Sequence, residues 1–163
     1  MQLLAFFVLS LLALVSAIVV VTHRNPVVAA LALAFNLVAI AGFYFLLDAQ
    51  FIALLQVIVY AGAIMVLILF VIMLLNLKQE LGGRPSGIVP RVLAPVLGLV
   101  FAAILGRAFL SLRGGFPARA PGYGTVEAVG REMYTRFFYP FEVVSLLLVA
   151  AMVGAVLLAK RRL

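Results

Sequence analysis

Five polar side chains interrupt the apolar stretches of this sequence: Asn36, Gln56, Tyr60, Arg107 and Glu142. Lipid offers no hydrogen-bond partners, so a polar group at membrane depth is expected to face another helix or trapped water. The chemistry open to these residues is hydrogen bonding and, for a carboxylate, proton transfer.

Glu142 is the sharpest candidate, because a carboxylate can gain and lose a proton. It precedes an apolar run that continues without charge to Ala159. One interpretation is a proton-relay or gating group. The other, which a shallow position favours, is an interfacial carboxylate paired with Arg107 or Arg136.

Gln56 and Tyr60 are four positions apart and therefore share one face of a predicted helix. Both can form hydrogen bonds without carrying charge, which favours bonding between helices over a direct functional role. Asn36, near the middle of the preceding apolar run, fits the same packing role.

Three small residues, Ala61, Gly62 and Ala63, follow Tyr60. Small residues let a neighbouring helix approach, so the pattern favours close packing, with Ala61 and Ala63 as packing residues. A glycine in mid-helix also lowers the resistance to a local change of winding, such as a π-bulge.

The composition is that of a membrane protein. Of the 163 residues, 67% are apolar and 10% are charged, against about 45–50% and 25% in soluble domains. The formal charge of +7 comes from basic residues that lie between apolar runs or at the C-terminus. This placement is typical of membrane topology, and no basic stripe with exposed aromatics indicates nucleic-acid binding.

The sequence contains no cysteine and a single histidine, His23. It can therefore hold neither a disulfide nor a thiolate-ligated iron–sulfur cluster, and one histidine cannot supply a histidine-rich metal site. We expect no cofactor or metal in this chain, and any linked redox chemistry in partner proteins.

Five apolar runs are long enough to cross a bilayer, which takes about 20 residues of α-helix. They cover approximately residues 3–21, 27–47, 51–77, 88–112 and 138–159, with polar loops at 78–87 and 113–137. Apolar residues at helical spacing in the second loop could form a short interfacial helix. The predicted fold is all-α: a single integral membrane domain over residues 1–163, polytopic, with about five transmembrane helices. The loop charges favour the N-terminus outside and the C-terminus in the cytoplasm.

The third apolar run carries a more specific signal. Its segment QVIVYAGAIMVLILFVIMLLN, residues 56–76, resembles the third helix of the J-type subunit of bacterial respiratory complex I, counterpart of mitochondrial NADH dehydrogenase subunit 6. THRNPVVAALALAFNLVAIAGFYFLL, residues 22–47, is similar to the loop and second helix of that family, and FEVVSLLLVAAMVGAV, residues 141–156, to its final helix.

The resemblance implies a membrane-arm subunit of a proton-translocating NADH–quinone oxidoreductase, without a redox centre of its own. NADH, FMN, iron–sulfur clusters and quinone are then expected in partner subunits. The expected neighbours are the A-, H-, K- and N-type membrane subunits, and the expected location is the bacterial cytoplasmic (inner) membrane.

The resemblance also implies site residues. The family's third helix is associated with a π-bulge, which carries over to Tyr60 and Gly62, and whose conversion to regular helix is thought to open or close a hydrated path. Glu142 matches the family's final-helix glutamate. Some family members have a glutamate where this chain has Gln56, whose neutral amide can order water but does not carry a proton.

Two other classes of function stay open. The chain could be a purely structural subunit that packs the membrane arm of this or a related hydrogenase-type complex. An independent small transporter or channel is disfavoured, because the apolar runs hold one carboxylate candidate and no evident substrate site.

Overall fold

The computed structural model describes residues 1–75, 88–111 and 122–160, and in these ranges every regular element is a helix. The elements are α1 (Gln2–Thr22), α2 (Pro26–Leu46), α3 (Gln50–Leu55), a π-helical segment (Gln56–Ile64), α4 (Met65–Leu74), α5 (Ile88–Ser111), α6 (Val126–Thr135) and α7 (Phe138–Ala159). α3, the π-helical segment and α4 follow one another without a break and are called here the third helix. The prediction of an all-α fold is confirmed.

Four helices are long and apolar enough to cross a membrane: α1, α2, the third helix over Gln50–Leu74, and α7. Their most apolar windows have mean hydropathies between 2.2 and 3.0. The apolar part of α5 within the described residues is Pro95–Ser111. It is shorter than the four spans. The polytopic membrane fold is therefore confirmed, with four spans in the described part of the chain and α5 at the place of the fifth.

The two predicted loops are described only in part. The loop at residues 78–87 lies outside the described residues, as do positions 76, 77 and 112 at the ends of predicted spans. The loop at 113–137 contains α6, a short helix at the place where helical spacing indicated one.

Local sequence sets the antiparallel turn between α1 and α2. α2 begins with Pro26, whose fixed φ suits the first helical position. The Asn25 side chain caps this helix, because its Oδ1 accepts a hydrogen bond from Val27 N at 2.9 Å.

Antiparallel packing of α1 on α2 brings the start of one helix to the end of the other. The Phe6 and Phe43 rings meet edge to face, with centroids 5.7 Å apart. Gly42 lets the helices approach, since a Cβ at this position would lie 2.7 Å from Leu9 Cδ2.

α2 lies between α1 and the third helix and packs against both. α6 contacts α3 and α7, and the Tyr134 and Phe141 rings lie 5.1 Å apart. Within the described residues, α5 contacts no other element and α7 contacts only α6. The core is therefore confined to α1, α2 and the third helix.

This chain exposes much more surface than a compact soluble protein of its mass. The accessible area is 14115 Å² for a 17.5 kDa chain, against roughly 7,900 Å² for a compact soluble monomer of that mass. The exposed side chains are largely Leu, Val, Ile and Phe, which is the surface that lipid or apolar helices of partner chains would cover.

Candidate functional site

The π-helical segment Gln56–Ile64 is the most unusual element of the fold. It runs for nine residues, and at its end Met65 N–H donates to the carbonyls of Gly62 and Tyr60, three and five residues back. π-helical turns are rare and occur frequently at functional sites. The bulge that the resemblance implied around Tyr60 and Gly62 is thus present in the structure as two turns of π-helix.

The residues of this segment explain why an alternative winding is tolerated here. Val57, Ile58 and Val59 are β-branched and have a lower preference for the α-helix than Leu or Ala. Gly62 has no Cβ, and one built there would lie 3.3 Å from the carbonyl oxygen of Val57, five residues back in the same helix. A Cβ at this position would therefore require the Val57 carbonyl to shift by a few tenths of an ångström.

The winding decides which side chains face the core. Gln56 and Met65 are both buried, with 9% and 2% of their surfaces exposed, in a rod that packs along α2. At 3.6 residues per turn, positions nine apart would lie on opposite sides of the helix. At about 4.4 residues per turn they fall on nearly the same side. Regular winding of Gln56–Ile64 would therefore turn α4 relative to α3 by roughly 160°.

Gly62 and the two alanines beside it have different surroundings. Among the described residues, and apart from the adjacent backbone of its own helix, a Cβ built at Gly62 would have the Val57 carbonyl oxygen as its neighbour within 4 Å. Ala61 is partly buried and Ala63 is exposed. The π-helical segment as a whole packs along α2, and the packing roles of Ala61 and Ala63 stay predictions.

Tyr60 and Gln56, expected on one face, have different surroundings. Tyr60 is 49% exposed, whereas Gln56 is buried. In the described part of the chain, no side-chain hydrogen bond of Gln56 is recorded. Among the described residues, no fully buried side-chain nitrogen or oxygen atom lacks a hydrogen-bond partner, so the Gln56 amide keeps some accessible surface at which water can bind.

Asn36 has its hydrogen bonds within the chain. Its Nδ2 donates to Ala13 O at 2.8 Å and to Ser16 Oγ at 3.0 Å, and so joins α2 to α1. Ser16 is itself buried and donates to Leu12 O at 2.7 Å. Sequence reasoning missed Ser16 as the partner, because a serine that can bond back to its own helix gives no signal of a neighbour.

Glu142 lies in the second turn of α7 and is exposed. Among the described residues, no ion pair joins it to Arg107 or Arg136. The Arg136 guanidinium instead lies over the Phe137 ring, 5.7 Å from its centroid. Of the five acidic residues in the sequence, Glu142 alone lies inside one of the four candidate spans. Its side chain is exposed on the surface of this chain.

The described residues contain no group of three or more His, Asp or Glu side chains that could hold a metal ion. The chemistry that the described site can perform is hydrogen bonding, ordering of water and, at Glu142, proton exchange. Its distinctive property is mechanical, since the winding of one segment sets the orientation of α4.

The chain is similar to proteins of one family over nearly its full length. The family model described as NADH-ubiquinone/plastoquinone oxidoreductase chain 6 matches residues 16–158. NADH-quinone oxidoreductase subunit 10 of Thermus thermophilus is 45% identical, over 91% of this chain and 84% of its own length. NADH-quinone oxidoreductase subunit J of Escherichia coli is 37% identical over 93% and 83%. F(420)H(2) dehydrogenase subunit J of Methanosarcina mazei is 39% identical over 95% and 89%.

Proposed function

The chain belongs to the NADH-ubiquinone/plastoquinone oxidoreductase chain 6 family, and on that premise we propose that it is a membrane-arm subunit of a proton-pumping NADH–quinone oxidoreductase. Its location is the bacterial cytoplasmic membrane, with the N-terminus outside and the C-terminus in the cytoplasm. NADH, FMN, iron–sulfur clusters and quinone bind to other subunits, and A-, H-, K- and N-type subunits cover its exposed apolar helices.

The names of the relatives indicate that this type of subunit does not depend on one particular electron donor. Two of them are named for NADH and quinone, and one is named an F(420)H(2) dehydrogenase. A subunit type present with either electron donor contributes to a step other than donor oxidation. Coupling of electron transfer to proton movement is a step of that kind.

The π-helical segment Gln56–Ile64 is the observation that carries the proposed mechanism. Quinone reduction in neighbouring subunits changes the winding of this segment between π and α. The change turns α4 by roughly 160° relative to α3, which moves Met65 away from the α2 face and makes room for water on that face, further along the helix from Gln56. The Gln56 amide orders water at its own end of this face, and the resulting chain leads to carboxylates of partner subunits and to Glu142.

Isolation of the native assembly tests the subunit assignment. The chain is tagged at its C-terminus, membranes are solubilised in mild detergent, and the co-purifying proteins are identified and assayed for NADH–quinone activity. We expect a stoichiometric assembly that includes an NADH-oxidising arm. Recovery of the chain alone, or as a small homo-oligomer, under conditions that preserve respiratory complex I would overturn the assignment and call for a transport assay.

Gly62→Val tests the proposed change of winding in Gln56–Ile64, called here the gate. A branched side chain at position 62 crowds the Val57 carbonyl only in the π-wound state. A cost of about 1–2 kcal/mol, typical of overpacking, shifts the populations of two states by roughly 5- to 30-fold. We expect an assembled complex with near-normal electron transfer and a lowered proton-to-electron ratio in proteoliposomes. Gly98→Val in α5 is the matched control, because a Cβ at Gly98 meets no atom of the described residues within 4 Å. A normal ratio in the assembled Gly62→Val complex would contradict the gate.

A further inference from the structure

A turn from the second half of the chain is fixed to the beginning of the third helix. Phe51 N–H donates to Gly124 O at 3.2 Å. Phe51 is in the first turn of α3, where backbone N–H groups lack acceptors within their own helix. Gly124 supplies one of these acceptors from outside the helix.

The contact is close enough to require a glycine. Gly124 has φ +85°, and a Cβ built on it would lie 2.5 Å from Asp48 O and 3.2 Å from Ala49 Cα. These are backbone atoms and cannot move aside as a side chain would. Asp48 also has a positive φ, +59°, in the left-handed region that aspartate tolerates better than most residues.

The turn is held firmly from its own side. Thr125 Oγ1 donates to Gly122 O at 2.9 Å and, as the cap of α6, accepts from Ala128 N at 3.2 Å. α6 in turn packs on α7 through Tyr134 and Phe141. The Gly122–Thr125 turn, called here the latch, therefore joins α3 to α6 and α7.

The other end of the third helix has no comparable attachment in the described residues. α4 packs along α2, whereas α3 packs along α2 and also contacts α6. Leu74 and Leu75, at the end of the described part, are 67% and 64% exposed. Among the described residues, a torque generated in the π-helical segment therefore meets a hydrogen-bonded attachment at α3 and only packing along α2 at α4.

We infer that the latch is a rotational anchor, and that Gly124 is the residue that positions α3 in it. A change of winding in Gln56–Ile64 must turn one end of the third helix against the other. With α3 held by the Phe51–Gly124 hydrogen bond, the rotation is delivered to α4. This inference rests on the winding change proposed above and adds which end of the third helix rotates, namely α4.

Distances between spin labels in the intact complex test the anchor, since this chain has no cysteine of its own. One label pair, Ile52 and Glu127, spans the latch, and a second pair, Val21 and Met73, reports on the end of α4. All four positions are exposed in this chain. Between the oxidised enzyme and the enzyme in turnover, we expect the Val21–Met73 distance to shift by up to the helix diameter, about 10 Å. The Ile52–Glu127 distance should stay constant.

Gly124→Ala removes the anchor, and Gly122→Ala is its control. Both glycines have positive φ, +85° and +82°, but a Cβ at Gly122 meets no atom within 4 Å in the part of the chain that the structure describes. In assembled Gly124→Ala complex, the Ile52–Glu127 distance should change during turnover and the proton-to-electron ratio should fall. In Gly122→Ala both should match the parent complex.

The outcomes separate the anchor from the gate. If neither pair moves in the parent complex, the winding change itself is refuted. If Met73 moves and Gly124→Ala behaves as Gly122→Ala does, the gate stands and the anchor is refuted. Equal movement of Ile52 and Met73 in the parent complex also refutes the anchor.

Discussion

Asn36 and Gln56 have the same character in the sequence, as single amides in long apolar runs, and the structure gives them different surroundings. Asn36 makes two hydrogen bonds to α1. Gln56 is buried beside α2 with no hydrogen bond recorded in the described residues. The sequence predicts that both amides leave the lipid, but it cannot tell which has a protein partner, because that depends on the depth at which the helices meet.

Gln56→Leu should separate stability from coupling. The substitution removes the amide without breaking a hydrogen bond to another described residue, so the stability of the subunit should change little. Loss of the group that orders water should lower the proton-to-electron ratio. The two quantities are measured by thermal unfolding of the purified complex and by proton uptake in proteoliposomes. A normal ratio would remove Gln56 from the proposed path.

Asn36→Leu is the reciprocal control. It breaks the hydrogen bonds that join α2 to α1, at a cost of about 1–3 kcal/mol. We expect less assembled complex, with a normal proton-to-electron ratio in the fraction that assembles. A lowered ratio in that fraction would show that the Asn36 contact contributes to coupling as well as to packing.

Glu142→Gln tests whether the α7 carboxylate takes part in proton transfer. No ion pair holds Glu142 within the described residues, so the neutral side chain should leave this chain's fold intact. If the carboxylate exchanges protons with a partner subunit, the coupled activity should fall while electron transfer to quinone continues. Unchanged coupled activity would identify Glu142 as a solvated interfacial group and would favour a structural role for this chain.

At the scale of elements, apolar runs predict the spans well and their winding poorly. The third helix is apolar on all sides, so no polar face marks its period, and a change from 3.6 residues per turn leaves no trace in the hydrophobic pattern. Gly62 and the preceding β-branched residues show only where such a change of winding costs the least free energy. The resemblance to a family, and not the periodicity, indicated the bulge.

The sequence did not predict the contact made by the latch either. Gly122 and Gly124 predict a turn, but nothing in the sequence gives the partner of that turn. The contact joins α3 to a loop more than 70 positions later along the chain, and such a pairing follows only from the way the helices pack. α6, in contrast, was predictable from the spacing of its apolar residues, because one of its faces stays polar.

At the scale of the whole molecule, the chain is a component and not a closed bundle. Its core is limited to α1, α2 and the third helix, while the described parts of α5 and α7 leave their sides open. The composition predicted the lipid-facing surface, but the sequence could not show which helices would lack partners within the chain. In the proposed complex, partner helices fill these sides. They transmit to the third helix the conformational change that accompanies quinone reduction.

The hydrogen-bond register of the third helix, observed in the complete complex at rest and during turnover, tests the central claim most directly. Electron cryomicroscopy of both states would show which carbonyl accepts from Met65 N–H. The account predicts two populations: one with Tyr60 as acceptor, as in the present structure, and one with Ala61 as acceptor and α4 rotated. The same Tyr60 register in every class of particles during turnover would contradict the account.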